Sequence, residues 1–418
     1  MNRVVVTGLG FISSIGNSRS AVLDSLRAGR SGIEVMPELA AMNDRVSLAG
    51  TVKGFHFPTT DPLEWTFPEH VKLNRSELRT MVPNAVFSIA AMEEAIADAG
   101  LDPALVSSPQ TGLYCASAGS AWLTHVAIES VLTRGPARTS APTVVTGMPN
   151  SLHLNLTARF AIKGASVGFS SACASSAHAL GSACDLIRLG RQKIMFVVGA
   201  EDCHPYNILP FASLRALSSQ SDPALAPRPF DVSRDGFVIT GGAVVLVLEE
   251  VEHAAARGAT VYAEAKGWGQ ASDGYDVVAP DPSGNGLARA ITNALQDANI
   301  NSADVDYINA HATATAAGDI AELNALKSVF TGTTTPRVSS TKALTGHGLS
   351  LAGALEAGIC CLALREGFMP ASAKIQQLDP ACEDVTIITT RVDEAPRVAM
   401  SNSCGFGGAN VALIFALT

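Results

Sequence analysis

A cysteine, two histidines and a lysine are the side chains in this sequence best suited to covalent chemistry. Cys173 sits in GASVGFSSACASSAHALGSACDLIRLG (164–190), His311 in VDYINAHAT (305–313), and Lys342 and His347 in TKALTGHG (341–348). A thiolate beside two neutral imidazoles and an ammonium group suits acyl transfer: sulfur takes an acyl group as a thioester, and imidazole N–H groups stabilise a developing enolate. The glycine-loosened SNSCGFGG (401–408) offers backbone N–H groups for an oxyanion hole. The bland readings stay open at this point. Most unpaired cysteines are small buried hydrophobes, and most single histidines are structural. None of these residues has the short paired spacing of a zinc site, so no metal is expected.

Such groups must be positioned by regular elements. Ala165 to Phe169 reads as a short strand, and Ala177, Leu180, Cys184 and Ile187 recur at helical spacing. Ser170 and Ser171 are candidate N-caps and Gly190 a candidate stop. That reading puts Cys173 in a tight strand-to-helix turn at the positive end of a helix dipole. A lowered thiol pKa and an exposed sulfur would follow.

Along the chain, RVVVTGLG (3–10) reads as a buried strand and a glycine turn. Ser13 takes the place of the third glycine of a dinucleotide fingerprint, and no acidic residue follows a clear second strand, so no nucleotide is expected. Pro83 to Gly100 reads as a helix, 111–118 and 193–199 as strands, and 228–250 as a strand pair or one strand bent at Gly241–Gly242. The stretches 33–74 and 122–149 look irregular. A second half then repeats the order: 261–269 as a strand, 285–298 as a helix, 305–313 as a strand, 336–367 as a strand–turn–helix and 397–417 as a strand pair. The expected organisation is an α/β protein of two halves, 1–255 and 256–418, with insertions near 33–80 and 120–150. A pseudo-twofold pair of sheets would bring the turns at Cys173, His311 and Lys342–His347 face to face.

The whole chain sets the bounds. Its 418 residues are 47% hydrophobic and 16% charged, the balance of a globular protein with a large core. No apolar run reaches the ~18 residues that span a bilayer, and no signal peptide precedes the first strand, so no membrane is expected. Eight scattered cysteines without a CxxC pair point to reduced thiols and a cytoplasmic setting. A net charge of −9 argues against general nucleic-acid affinity, though a local basic patch could still hold an acidic partner.

SSACASSAH, HATAT, TKALTGH and SNSCGFGG, in that order, resemble the four signature stretches of the elongating β-ketoacyl-acyl-carrier-protein synthases. RPFDVSRDGFV, VTGLGFISSIGN and ASDGYDVVAP are also similar to that family, and the likeness runs from Arg3 to Phe415. The resemblance implies a thiolase fold of duplicated βαβαβ halves layered α-β-α-β-α. It also implies decarboxylative condensation of an acyl-enzyme with malonyl-acyl carrier protein, in fatty-acid or type II polyketide or polyene synthesis. No cofactor is implied, because substrates ride on the phosphopantetheine of the carrier. The implied partners are acyl carrier protein and a second subunit, either a second copy or a homologue. By position, Cys173 is the acyl nucleophile, His311 and His347 bind the malonyl thioester, and Lys342 supports them. Cys173 and Phe406 supply the oxyanion hole and Phe406 the gate; Thr313 and Thr315 hold the pantetheine arm, with Asp319 and Glu356 supporting.

The sequence departs from that pattern in places that concern substrate choice. Ala312, Ala314 and Ala316 replace Gly, Ser and Pro, Cys404 replaces a phenylalanine beside the gate, and Gly119 falls where larger residues restrict an acyl tunnel. Arg75 and Arg79, and Arg134 and Arg138, resemble carrier-docking positions. Two rivals remain at this stage: a coenzyme A-dependent thiolase-type acyltransferase, and a chain-length-factor-like partner subunit.

Overall fold

The computed structural model describes residues 1–148, 150–332 and 335–418. Eleven strands among them form one mixed sheet. In chain order these are β1 (Val4–Ser13), β2 (Thr111–Ala116), β3 (Ser166–Phe169), β4 (Ile194–Glu201) and β5 (Gly242–Glu250), then β6 (Ala263–Ser272), β7 (Tyr307–Asn309), β8 (Arg337–Ser339), β9 (Thr386–Ile387), β10 (Val398–Gly405) and β11 (Ala409–Ala416). Six helices of 14 or more residues accompany them: α1 (Pro83–Ala99), α2 (Ala121–Arg134), α3 (Ser175–Arg188), α4 (Asn285–Ala298), α5 (Ala316–Val329) and α6 (Ala352–Glu366).

The spatial order is β9-β8-β7-β10-β11-β6-β1-β5-β4-β2-β3. Read outward from its centre, β1-β5-β4-β2-β3 matches β6-β11-β10-β7-β8 strand for strand, with β9 added at one rim. The expected pair of sheets is present as the two halves of this one, joined by antiparallel pairing of Val5 with Glu264 and Val6 with Ala263. Only two residue pairs make that seam, so the sheet can fold over about it.

What fills the fold is α3 and α6. α3 contacts β4 and β2 of the first repeat and β11 and β6 of the second; α6 contacts β10 and β11 as well as β5 and β4. α1 lies outside the first repeat, against β1 and β5, and α4 and α5 lie outside the second. Five layers result, α-β-α-β-α. The continuous hydrophobic runs of β1, β4 and β5 follow from this, since strands covered on both faces have no polar side.

Local sequence explains the individual elements. α1 opens on Pro83 and ends at Gly100 in the left-handed conformation (φ 63°). It buries Val86, Ile89 and Met92, each worth about 1.5–3 kcal/mol. RVVVTGLG is not a strand followed by a glycine turn, because β1 runs on through both glycines to Ser13. They are there for packing: a Cβ on Gly10 would stand 1.9 Å from Ala91 O of α1.

Other expectations need correction. The 122–149 stretch is largely helical rather than irregular: α2 begins behind Ser120, whose Oγ accepts from Leu123 N at 3.5 Å. Pro149, at its end, lies outside the described residues. The 228–250 stretch is neither a strand pair nor one bent strand, since the continuous strand begins at Gly242 and only isolated bridges, at Asp231, Phe237, Ile239 and Thr240, precede it. Within 33–74, a small hairpin of Ile33–Val35 with Leu48–Gly50 forms a separate two-stranded sheet. No described helix is long and apolar enough to cross a membrane.

Candidate active site

The Cys173 turn follows β3 directly. Ala172 has φ 50°, a left-handed conformation that a small residue tolerates, and it swings Cys173 out of the strand line. Ser175 fixes the turn, its Oγ accepting from Ser171 N at 2.8 Å and donating to Ala172 O at 2.6 Å. Ser171 Oγ also meets His178 Nδ1 at 2.8 Å. α3 therefore begins only at Ser175, with no side-chain cap, so Ser170 and Ser171 are not its N-caps. The stop is as expected, with Gly190 (φ 70°) just beyond Leu189.

The state of the thiol also differs from expectation. Cys173 is 7% exposed rather than open, and burial pushes its pKa up to about 12 instead of lowering it. The Lys342 charge pulls the other way, and Glu201 and Glu356 add to the rise. A thiol in that state needs a proton acceptor within reach, and one is present. His347 Nε2 lies 3.0 Å from Cys173 Sγ.

The second repeat delivers the rest. After β8 a short helical turn, Lys342–Thr345, ends at Gly346 (φ 77°), and His347 N donates to Val238 O at 2.7 Å. The edge of the Phe237 ring meets the imidazole, centroids 5.2 Å apart at 88°. His311, beyond β7, stands 5.3 Å from His347, ring to ring, at 85°. Burial, reinforced by Lys342, holds both imidazoles well below the usual histidine pKa, so both are neutral. Each Nδ1 is buried without a protein partner, so no hydrogen bond there fixes the tautomer of either ring. Lys342, 1% exposed, donates to Glu356, itself 2% exposed; burial drives that carboxyl upward while Lys342 draws it back.

Cys173, His311 and His347 line a cavity of about 250 Å3, and Lys342 and Glu356 do not reach it. Thr313 and Thr315 line its throat, their hydroxyls 3.1 Å apart, and Phe406 and Phe211 face each other across it, centroids 6.3 Å apart. Gly405 brings the C-terminal loop against the Cys173 turn: a Cβ there would lie 3.3 Å from Cys173 N and 2.6 Å from Ser171 O. Glycine is thus required where this loop meets the Cys173 turn. Cys404 lines the same cavity. Gly119 does not; its carbonyl accepts from Asn207 Nδ2 in the turn after β2. Arg75, Arg79, Arg134 and Arg138 are all exposed, and none lines the cavity.

Two acids divide unexpectedly. Asp319 supports from a distance, pairing with Arg234 at 3.2 Å and accepting from Ala314 N at 3.1 Å. Glu322, which the sequence reading missed, touches the site more closely. Its Oε1 accepts from His311 N and Asn402 Nδ2, both at 3.0 Å, and its Oε2 from Ala312 N at 2.7 Å. One acid facing three donors from two distant segments leaves no signal in its own helix. The Cys173, His311 and His347 ligand atoms also lie within 4.8 Å of one another, a convergence that chain spacing hid; the neighbouring Lys342 charge works against a cation there.

The family description "Beta-ketoacyl synthase, N-terminal domain" matches residues 1–254, and "Beta-ketoacyl synthase, C-terminal domain" matches 262–376. The chain belongs to the β-ketoacyl synthases. It is 44% identical to 3-oxoacyl-[acyl-carrier-protein] synthase 1 of Haemophilus influenzae, covering 99% of each chain. A β-ketoacyl synthase from Burkholderia phymatum superposes with a TM-score of 0.91 at 34% identity, covering 100% of both chains. A type II polyketide ketosynthase, solved in complex with its acyl-carrier protein and bound to a hexaketide, has a TM-score of 0.86 at 29% identity, covering 100% of this chain and 99% of that one. The layered α/β architecture is the ketosynthase fold, and the chain is an acyl-transferring, condensing enzyme.

Proposed function

We propose that Cys173, His311, His347 and Lys342 carry out a two-stage condensation on carrier-bound thioesters. In the first stage, His347 Nε2 takes the Cys173 proton as sulfur attacks the acyl carbonyl. The bond to the carrier sulfur breaks, and the departing thiolate takes a proton from solvent while His347 gives up its Nδ1 proton, which leaves the Cys173 proton on Nε2. N–H groups of Cys173 and Phe406 hold the tetrahedral oxygen. In the second stage, malonyl on the carrier enters past Thr313 and Thr315, and its thioester oxygen accepts N–H bonds from His311 and His347. The bond from C2 to the carboxylate breaks and CO2 leaves. Its electron pair forms the bond from C2 to the acyl carbon, and the Cys173 sulfur is released as a thiolate that takes one proton from solvent. The 3.0 Å approach of His347 to Cys173, with His311 set against the same ring, is the observation that carries this reading.

Acyl carrier protein is the partner in this reading, as in the polyketide relative, and no cofactor is used. The exposed Arg75, Arg79, Arg134 and Arg138 are proposed to meet the acidic carrier. Arg215 joins them, exposed between Leu214 and Ala216, which both line the cavity. A homodimer is proposed through β3. That strand ends the sheet with Val167 41% exposed, and α2 bares Ile128 and Leu132 (80%). A homologous subunit on that face would make a heterodimer instead. All eight cysteines are free thiols, in keeping with a cytoplasmic setting.

The test is intact-mass measurement after incubation with acyl-carrier, with CO2 release from carboxyl-labelled malonyl-carrier followed in parallel. One acyl adduct is expected, absent from Cys173→Ala, and condensation should fall by about 10^4-fold or more in that variant. An adduct that survives the substitution overturns the assignment. In the same assay, charge reversal at the arginines should raise KM for carrier-bound substrate, more at low salt.

A further inference from the structure

The geometry points to a donor site that accepts a 2-alkylmalonyl thioester, with the alkyl group seated against Cys404. This rests on the condensation proposed above. Strand alternation along β10 puts Cys404 on the same face as Asn402, and Asn402 Nδ2 reaches Glu322 Oε1 of α5 at 3.0 Å. Cys404 therefore faces α5 and α4, and it packs at the edge of the core that Leu287 of α4 belongs to. Leu287, Ala321, Glu322 and Cys404 all line the catalytic cavity, forming one side of it. His311 belongs to the same side, since its own N–H donates to Glu322.

That side is where the donor, not the acyl chain, must sit. With the donor oxygen against the two histidines and C2 facing the acyl carbon on Cys173, a C2 substituent points at the remaining wall. Cys404 is the neighbour of Gly405, whose Cα abuts the Cys173 turn. The wall is made mostly of small or aliphatic side chains, and the two acids beside Cys404 have their oxygens committed, Glu322 to His311, Ala312 and Asn402, and Asp273 to Asn410 and Asp281. A methyl or ethyl group fits such a surface; a hydroxyl or amino substituent would lose water without a partner there. Gly119, the position that resembles an acyl-tunnel residue, does not line this cavity.

The step balances as for malonyl. The bond from C2 to the carboxylate breaks with loss of CO2, C2 bonds to the acyl carbon, and the Cys173 thiolate takes one proton, leaving a 2-alkyl-3-oxoacyl-carrier.

The experiment compares malonyl-carrier with 2-methylmalonyl-carrier as donors on the full-length enzyme, using one acyl primer and mass spectrometry of the products. The wild type is expected to condense both, the methyl-bearing donor within about tenfold of malonyl. Cys404→Phe should lower the ratio of methylmalonyl to malonyl turnover by about 10- to 200-fold, the range that one alkyl group in a pocket controls. Ala321→Val, from the facing helix, should shift the ratio the same way if the phenylalanine variant does not fold. Condensation of malonyl but not methylmalonyl by the wild type overturns this inference and leaves the condensation reading standing. Failure with both donors overturns that reading instead. A ratio unchanged in both variants, with an altered acyl-chain profile, would assign Cys404 to the acyl side.

Discussion

The turn after β3 and the turn after β8 occupy the same place in the two repeats and hold opposite chemistry. The first presents an uncharged thiol on a backbone kinked at Ala172 (φ 50°), followed by a helix that begins without a side-chain cap. The second presents a buried ammonium–carboxylate pair, Lys342 with Glu356, and ends in a neutral imidazole. Duplication supplied the positions; electrostatics then separated the roles. The Lys342 charge lowers the Cys173 thiol pKa, against the larger effect of burial, and it depresses both histidines. The repeat that holds Cys173 thus carries little that lowers its thiol pKa. The imidazole 3.0 Å from the sulfur and the cation that opposes burial both come from the other half of the chain.

Removing the acceptor tests that dependence most severely. His347→Ala should slow acylation of Cys173, and its alkylation by iodoacetamide, by about 10^2- to 10^4-fold, the usual contribution of a positioned base. His311→Ala should leave alkylation close to the wild-type rate while abolishing condensation. Equal alkylation rates in the two variants would mean that the first repeat activates its own thiol, and the contrast drawn above would fail.

The contrast also marks where the sequence was readable. Helix 285–298 and the strand–turn–helix around Cys173 were legible because their apolar spacing reports local geometry, and four ordered motifs sufficed to assemble the Cys–His–His–Lys centre. The helix at 121–134 was not legible, because only Leu123 and Ala127 of it are buried and little periodicity results. The protonation state of Cys173 was not legible either. It depends on burial in the assembled fold and on charges at positions 201, 342 and 356, none of them within 25 residues of the thiol by sequence. Glu322 escaped for the same reason: what defines its role is two peptide N–H groups ten and eleven residues earlier and an amide eighty residues later.

An intermediate effect is expected from the buried pair. Lys342→Met leaves Glu356 without its partner, and breaking a buried pair costs about 3–5 kcal/mol of stability. Activity should fall as well, because the thiol loses its stabilising cation; one pKa unit is tenfold in thiolate population, so a loss of about 10- to 100-fold in alkylation rate is expected. The double variant Lys342→Met/Glu356→Gln separates the two effects. It should regain most of the stability and none of the reactivity. Recovery of both would make Lys342 a packing residue and its charge irrelevant to the Cys173 turn.

The smallest effect concerns a strap between the same two halves. Glu201 ends β4 fully buried, and its Oε1 accepts from Ala118 N at 3.0 Å in the first repeat and from Ser350 N at 3.2 Å, three residues past His347, in the second. Burial, with Asp202 adding to it, raises its pKa to about 8, so the folded protein holds it as a neutral acid at pH 7. In the unfolded chain it ionises near the ordinary value of about 4.3. Between those limits the folded state binds one more proton than the unfolded state, so its contribution is greatest at low pH, declines as pH rises and levels off above about 8. Glu201→Gln keeps the accepting Oε1 and cannot titrate. The stability of the wild type relative to this variant should therefore fall steadily as pH rises from 4.5 to 8 in chemical denaturation. A difference that stays flat across that range would mean that Glu201 is already ionised in the fold, and that the two repeats are strapped by a charged bond rather than a neutral one.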